Sequence, residues 1–186
     1  MRTYLPFGAA HRRAGKQVAG RTHAGRGRSE LANTVNRMDD RERIEDVIGA
    51  LIALRTTVVD KAAEHLDTVM VVYTHRKEAQ PITLAHYLMA ISESLGKSID
   101  RYEQLYVRMN QSPLGAAASA GTGWPLDRRR TADLPGFDGL AVDTIEGTAV
   151  WDPIAAFASD TAFYLSRPRR LAPAIPLCST DDHRSG

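Results

Sequence analysis

The strongest constraint on this chain of 186 residues is a pair of long, evenly spaced apolar stripes. From Ile44, apolar side chains return at Val47, Ile48, Leu51, Leu54, Val58, Ala62 and Leu66, in steps of three and four. That spacing marks one face of a helix. Ile52, Val59 and Ala63 widen the stripe, which predicts a helix covered on more than one side. At about 1.5 Å per residue, positions 44–66 span about 34 Å. The second stripe runs Leu84, Leu88, Ile91, Leu95, Ile99, Tyr102, Leu105 and Met109. Pro81 suits the first turn of that helix and Pro113 suits the region just past its end. Aromatic residues make up only 6% of the chain, so the core must come mainly from aliphatic side chains, which favours helix over a β-sandwich. Long apolar-faced helices need partners, and the expected fold class is all-α, built on a long-helix bundle. A helical hairpin of about 43–66 and 82–110 is its predicted centre.

Between the stripes, Val69-Met70-Val71-Val72 leads into Tyr73-Thr74-His75, and 67–80 reads as an extended connection. After Gln111, Gly115, Gly121 and Gly123 punctuate an Ala/Ser-rich stretch expected to be irregular. Short helical signals follow at Arg128–Asp133 and Ile154–Leu165. Past Arg167, prolines and the polar ending Asp181–Gly186 predict a disordered tail over 168–186.

Charge is unevenly spread. Residues 1–29 carry seven basic side chains and no acid, while the remaining 157 residues carry 17 basic and 22 acidic ones. Such an arm could meet phosphates, and an Arg-rich, acid-free start also resembles a transit peptide. It has no RNA-binding motif, only Tyr4 and Phe7 as aromatics, few serines and no amphipathic period. The expectation is therefore a poorly ordered basic arm over 1–28, with no nucleic-acid partner. One cysteine, Cys178, excludes an intramolecular disulfide framework and a cysteine-based zinc site, and makes a reducing, cytoplasmic setting the default. No apolar run reaches the roughly 18 residues of a membrane helix, so no membrane contact is expected.

None of the six histidines pairs at helical spacing with a flanking acid to suggest a metal site. His75 stands out because it follows Thr74 in a connection before a helix start, where an imidazole can exchange protons near neutral pH and a helix end favours an anion. Gly25-Arg26-Gly27-Arg28-Ser29 also leads into a helix, so its amides and arginines could receive a carboxylate or phosphate.

The motifs themselves narrow the choice. Tyr73-Thr74-His75-Arg76-Lys77-Glu78-Ala79-Gln80-Pro81 resembles the stretch Y-T-H-L-Q-x-A-Q-P of the fumarase/aspartase superfamily. Ser112-Pro113-Leu114-Gly115-Ala116, then Ala120-Gly121-Thr122 and Pro125-Leu126-Asp127-Arg128, resemble argininosuccinate lyases, as does Thr131–Gly139. His23-Ala24-Gly25-Arg26-Gly27-Arg28-Ser29-Glu30 is similar to H-T-G-R-S-R-N-D of that family. The likeness spans about 20–167, which outlines a helical domain over 29–167.

The resemblance implies a fumarase/aspartase-type helical fold whose long helices join four subunits, and a reversible elimination of argininosuccinate to arginine and fumarate. It implies no metal and no other cofactor. In such a reaction a base takes a proton beside a carboxylate, and the resulting aci-carboxylate needs electrostatic support. By the motif matches, His75 is the acid-side catalytic histidine. Thr74 and Gln80 lie in the substrate-binding stretch, and Arg28 and Ser29 match the residues that hold the fumarate portion.

Several positions depart from the pattern. Gly27 stands for a serine, Ser29 for an asparagine and Glu30 for an aspartate. Arg76-Lys77-Glu78 replaces L-Q-x, and Ala149-Val150-Trp151-Asp152 replaces S-x-R-D. The G-S-S-x-M-P-Q-K-x-N-P loop that supplies the family's base serine does not occur in these residues. The expectation is a truncated, diverged lyase that is inactive alone, working on a small succinyl substrate only when a partner supplies the loop. The alternative is a catalytically silent helical remnant that self-associates or joins a complete lyase in a mixed oligomer.

Overall fold

The computed structural model describes residues 23–75, 77–149 and 152–166. The expected basic arm up to residue 22, the tail, and positions Arg76, Val150 and Trp151 lie outside the described residues. The elements run α1 (Arg28–Glu64), β1 (Val69–Thr74), β2 (Lys77–Thr83), α2 (Leu84–Met109), β3 (Gln111–Ser112), α3 (Arg128–Asp133), β4 (Gly139–Leu140), α4 (Thr144–Ala149) and α5 (Asp152–Ser166). The chain is helix-dominated, as the two stripes require, and falls into the all-α class despite its short strands. Its described residues form two compact units, one within Met1–Asp39 and Asn110–Val150, the other within Asp40–Met109 and Trp151–Gly186.

The second unit holds the predicted helical hairpin. Ile44 and Leu51 of α1 cluster with Leu95, Ile99, Tyr102, Leu105 and Met109 of α2, all of them buried. The antiparallel course is fixed at the other end, where the Leu84 amide donates to the Thr68 carbonyl at 2.8 Å and Ala85 donates to His65 at 3.3 Å. Gly96 leaves room for the Arg55 guanidinium, and Arg55 Nε donates to Ser92 Oγ at 3.3 Å. α5 packs on α2 through Phe157, whose ring meets Tyr102 edge-on at 5.8 Å. The same tyrosine shares a 2.9 Å hydrogen bond between its hydroxyl and Thr161 Oγ1. Arg101 lies 5.1 Å from the centre of the Phe163 ring, a cation–π distance.

Three local expectations change. The helix predicted over 44–66 starts at Arg28 instead. The extended connection is a paired hairpin in which β1 and β2 run antiparallel, with a bulge between Val71 and Tyr73. Pro81 sits in β2 opposite Val71, not in a helix. A proline cannot donate to a ladder, and in a two-stranded ribbon its missing N–H faces no further strand. Thr83 takes the capping role, its Oγ1 accepting from the His86 amide at 3.2 Å.

Ile52 of the widening set and Leu54 of the main stripe, both expected to be covered, remain 50% and 42% exposed in the single chain. Among the described residues, no helix is long and apolar enough to cross a membrane.

The contrast between neighbouring positions is testable. Leu51→Ala empties a filled site and is expected to cost about 2–5 kcal/mol. Ile52→Ala removes exposed surface and should stay within about 0.5 kcal/mol. Urea unfolding of both variants checks the ranking. Tyr102→Phe, which deletes the Thr161 bond, should fall between them, at about 1 kcal/mol.

Candidate active-site segments

In the first unit, the start of α1 is anchored by one side chain. Glu30 is completely buried. Its Oε1 accepts from the Gly27 amide at 2.9 Å, and its Oε2 accepts from the amides of Gly115 at 2.8 Å and Ala117 at 2.7 Å. A buried carboxylate needs such partners, since leaving it unpaired costs several kcal/mol. The Gly27 contact is half of a capping box, in which a third-position Glu reaches back to the residue before the helix. Gly27 has no alternative side chain available, because a Cβ there would run into the Ala117 carbonyl oxygen.

The loop that donates these amides is bent by left-handed residues. Gly115 has φ 92°, Ala117 has φ 52° and Ser119 has φ 76°. The last two are non-glycine residues in a sparsely populated region, which costs of order 1–3 kcal/mol each. Arg128 braces the loop, with Nε donating to the Leu114 carbonyl and Nη2 to the Ala141 carbonyl, both at 3.0 Å. Its stem fills the space beside Gly115 that a Cβ would need. Thr144 Oγ1 donates to the Ser119 carbonyl at 2.7 Å, and Ser119 Oγ pairs with Thr148 Oγ1 at 2.8 Å.

Further along α1, Asn33 Nδ2 donates to the Thr148 carbonyl at 2.6 Å, and Arg37 Nη1 donates to the Gln111 carbonyl at 2.8 Å. Burial pulls the Arg37 pKa below its ordinary value, and the nearby Glu146 charge partly restores it. A guanidinium remains charged at neutral pH regardless.

Arg28 and Ser29 occupy the first turn of α1 with exposed side chains. First-turn amides lack intrahelical partners, so this turn offers donors as well as a cation. In the second unit, Thr74 ends β1 opposite Lys77, and His75 follows in the tight turn with φ 52°. A two-residue hairpin loop requires that left-handed conformation. Thr74, His75 and Gln80 are all exposed, with Gln80 on β2. The structure thus sets Thr74 and His75 side by side at a hairpin tip, and Arg28 and Ser29 side by side on a helix start in the other unit.

The roles of Glu30, Asn33, Arg37 and Arg128 were not evident from residue patterns. The Gly27-x-x-Glu30 spacing was the one available signal, as a capping-box half without its serine. Among the described residues, no group of three or more His, Cys, Asp or Glu side chains is placed to hold a metal ion.

Comparison with known proteins gives these segments a context. The family described as Lyase matches residues 9–164. The argininosuccinate lyase of Methanocorpusculum labreanum is 40% identical over 167 residues, covering 90% of this chain and 34% of that protein. That of Methanospirillum hungatei is 43% identical over 150 residues, covering 81% and 30%. The chain therefore spans about a third of the length of these relatives. A crystal structure of EDDS lyase in complex with formate is 59% identical, with a TM-score of 0.91 over 98% of this chain and 37% of its own. A fumarate lyase:delta crystallin from Brucella melitensis shares the fold at TM-score 0.70, over 87% of this chain and 36% of its own, with 18% identity. A family match over residues 9–164, most of the chain's length, means that the chain belongs to this lyase family, in the fumarase/aspartase superfamily and among the relatives of the argininosuccinate lyases.

Proposed function

We propose that these residues form part of the site of a carbon–nitrogen lyase that splits an N-substituted succinate into an amine and fumarate. The observation that carries the reading is Thr74-His75, presented at an exposed hairpin tip in a chain 59% identical to EDDS lyase. In the reaction, a base removes the proton from the carbon beside one carboxylate. The electron pair forms the new C=C bond as the C–N bond breaks, and His75 gives its proton to the departing nitrogen. Arg28 and Ser29 hold a carboxylate of the fumarate portion, while Thr74 and Gln80 contact the substrate.

The base does not come from a G-S-S-x-M-P-Q-K-x-N-P loop within these 186 residues, where that motif does not occur. In this reading the base comes from outside them, and the 186 residues alone do not turn over substrate. The amine portion is closer to that handled by EDDS lyase than to arginine, on the strength of 59% identity against 34–43% for the argininosuccinate lyases. A small-molecule substrate, no cofactor and a cytoplasmic setting complete the reading. The second reading is a silent helical partner. It is favoured by the side chains of Ile52, Val59, Met89 and Val107, which are exposed in the single chain.

The deciding assay follows fumarate release from EDDS and from argininosuccinate. It uses the chain alone, then the chain mixed with a related lyase whose own copy of this histidine has been removed. The expected result is no turnover alone and restored turnover in the mixture. His75→Asn should lower that restored rate by about 10²–10⁴-fold, the usual contribution of a positioned acid. Absence of restored turnover in confirmed mixed oligomers would leave the silent reading. Turnover by the chain alone would overturn the external base.

Assembly is part of both readings. Burying the exposed apolar side chains of α1 and α2 is worth about 25 cal/mol per Å². Sedimentation is expected to show oligomers at micromolar concentration, and Ile52→Glu with Val107→Glu should shift them toward monomer. A wild-type monomer would count against it.

A further inference from the structure

A buried carboxylate that takes no part in the proposed chemistry stands next to residues that do. Glu30 follows Arg28 and Ser29 directly, and its three amide partners tie the turn in front of them to the loop 113–119. Neither end of this tie is free to drift. On one side Gly27 lies against the Ala117 carbonyl too closely to carry a Cβ, and on the other Arg128 clamps the carbonyls of Leu114 and Ala141. Thr34 Oγ1 also donates to the Glu30 carbonyl at 2.8 Å, which secures the next turn of the helix. The side chains of Arg28 and Ser29 have no comparable burial to place them.

We propose that Glu30 is a positioning residue, which fixes the turn bearing Arg28 and Ser29 where it can receive a carboxylate of a fumarate-like ligand. The inference rests on the assignment of Arg28 and Ser29 to carboxylate binding. Its physical content is a sign. A carboxylate at Glu30 adds negative charge near the place where an anion must bind. If charge were its main effect, Glu30→Gln would tighten anion binding. If position is its main effect, Glu30→Gln weakens it, because the new amide N–H₂ faces backbone N–H groups and cannot accept from them. Glu30→Asp keeps the charge but is one methylene shorter, so it cannot span both sides of the tie without moving the turn.

The test titrates the full chain with fumarate and follows backbone amide resonances by NMR. In the wild type, fumarate should move the Arg28 and Ser29 signals. Both Glu30 variants should shift the Gly27, Gly115 and Ala117 signals and raise the Kd for fumarate about tenfold, equivalent to about 1.4 kcal/mol. Ser29→Ala should weaken binding while leaving the Gly115 and Ala117 signals in place. A purely structural role would lower the thermal midpoint yet leave the Kd of the folded population unchanged. If the wild type binds and both variants bind as tightly or more tightly, the positioning role is overturned and the carboxylate site stands. If fumarate leaves the wild-type Arg28 and Ser29 signals unmoved, the site assignment fails and the positioning role falls with it. Should Glu30→Gln not fold, Glu30→Asp decides on the same terms.

Discussion

The first unit depends on the need to satisfy one buried carboxylate. A carboxylate withdrawn from water must find donors or be protonated, and Glu30 finds three, all of them backbone amides. Backbone donors cannot swing into place as side chains do. To aim two amides of one loop at Oε2, the chain must turn left-handed at Gly115 and again at Ala117. The alternate amides of Gly115 and Ala117 converge on one point, as backbone donors do where a loop receives an anion. Here the anion is the protein's own. The unfavourable φ values at Ala117 and Ser119 are tolerated because the loop is also held by Arg128, Thr144 and Thr148.

The second unit is organised on a different principle. Its seam is apolar, and no single contact in it is indispensable in the way Glu30 is. Tyr102 combines the two kinds of interaction. Its ring is fully buried among Leu and Ile side chains and meets Phe157, while its hydroxyl reaches Thr161. The hairpin between the long helices is mostly solvent-exposed, and a two-stranded ribbon alone is marginal in water. It is held at its base by the Leu84–Thr68 and Ala85–His65 backbone bonds. The Thr74-His75 tip therefore stands on a short, exposed element whose root is fixed by the helix ends.

What was legible in the chain follows this division. The apolar period placed α2 within a residue or two of its ends, and it marked the Ile44–Leu51 face that builds the core. It missed the first part of α1, although the buried positions there have the same helical spacing. Glu30, Asn33, Thr34 and Arg37 fall three and four residues apart and are all buried. They form a helix face of polar residues, in which Glu30, Asn33 and Arg37 bond backbone groups distant in sequence and Thr34 bonds the Glu30 carbonyl one turn back. A search for hydrophobic period does not register such a face. The hairpin was half legible for a similar reason. Val69–Val72 has the β-branched character of a strand, but the partner strand opens on Lys77–Gln80, which is exposed and carries no matching pattern. His75 and the Gly25–Ser29 stretch stand out by position and take their roles from motif resemblance, while the burial and partners of the candidate site residues come only with the fold.

The same geometry changes how two departures from the family pattern read. In sequence, Gly27 for serine and Glu30 for aspartate look like separate losses. In the structure they are coupled. The missing Cβ at Gly27 lets the Ala117 carbonyl approach, which brings the Ala117 amide within reach of the helix start. The additional methylene of Glu30 then lets one carboxylate accept from the helix start and from the loop together. Restoring a serine at 27 alone would push the loop away from Glu30, and shortening Glu30 alone would leave Gly27 with an unfilled gap and an unpaired amide. Each residue breaks a local pattern when read alone, yet the two satisfy one another's packing and hydrogen bonds, which is the agreement across levels that lets a sequence specify one fold.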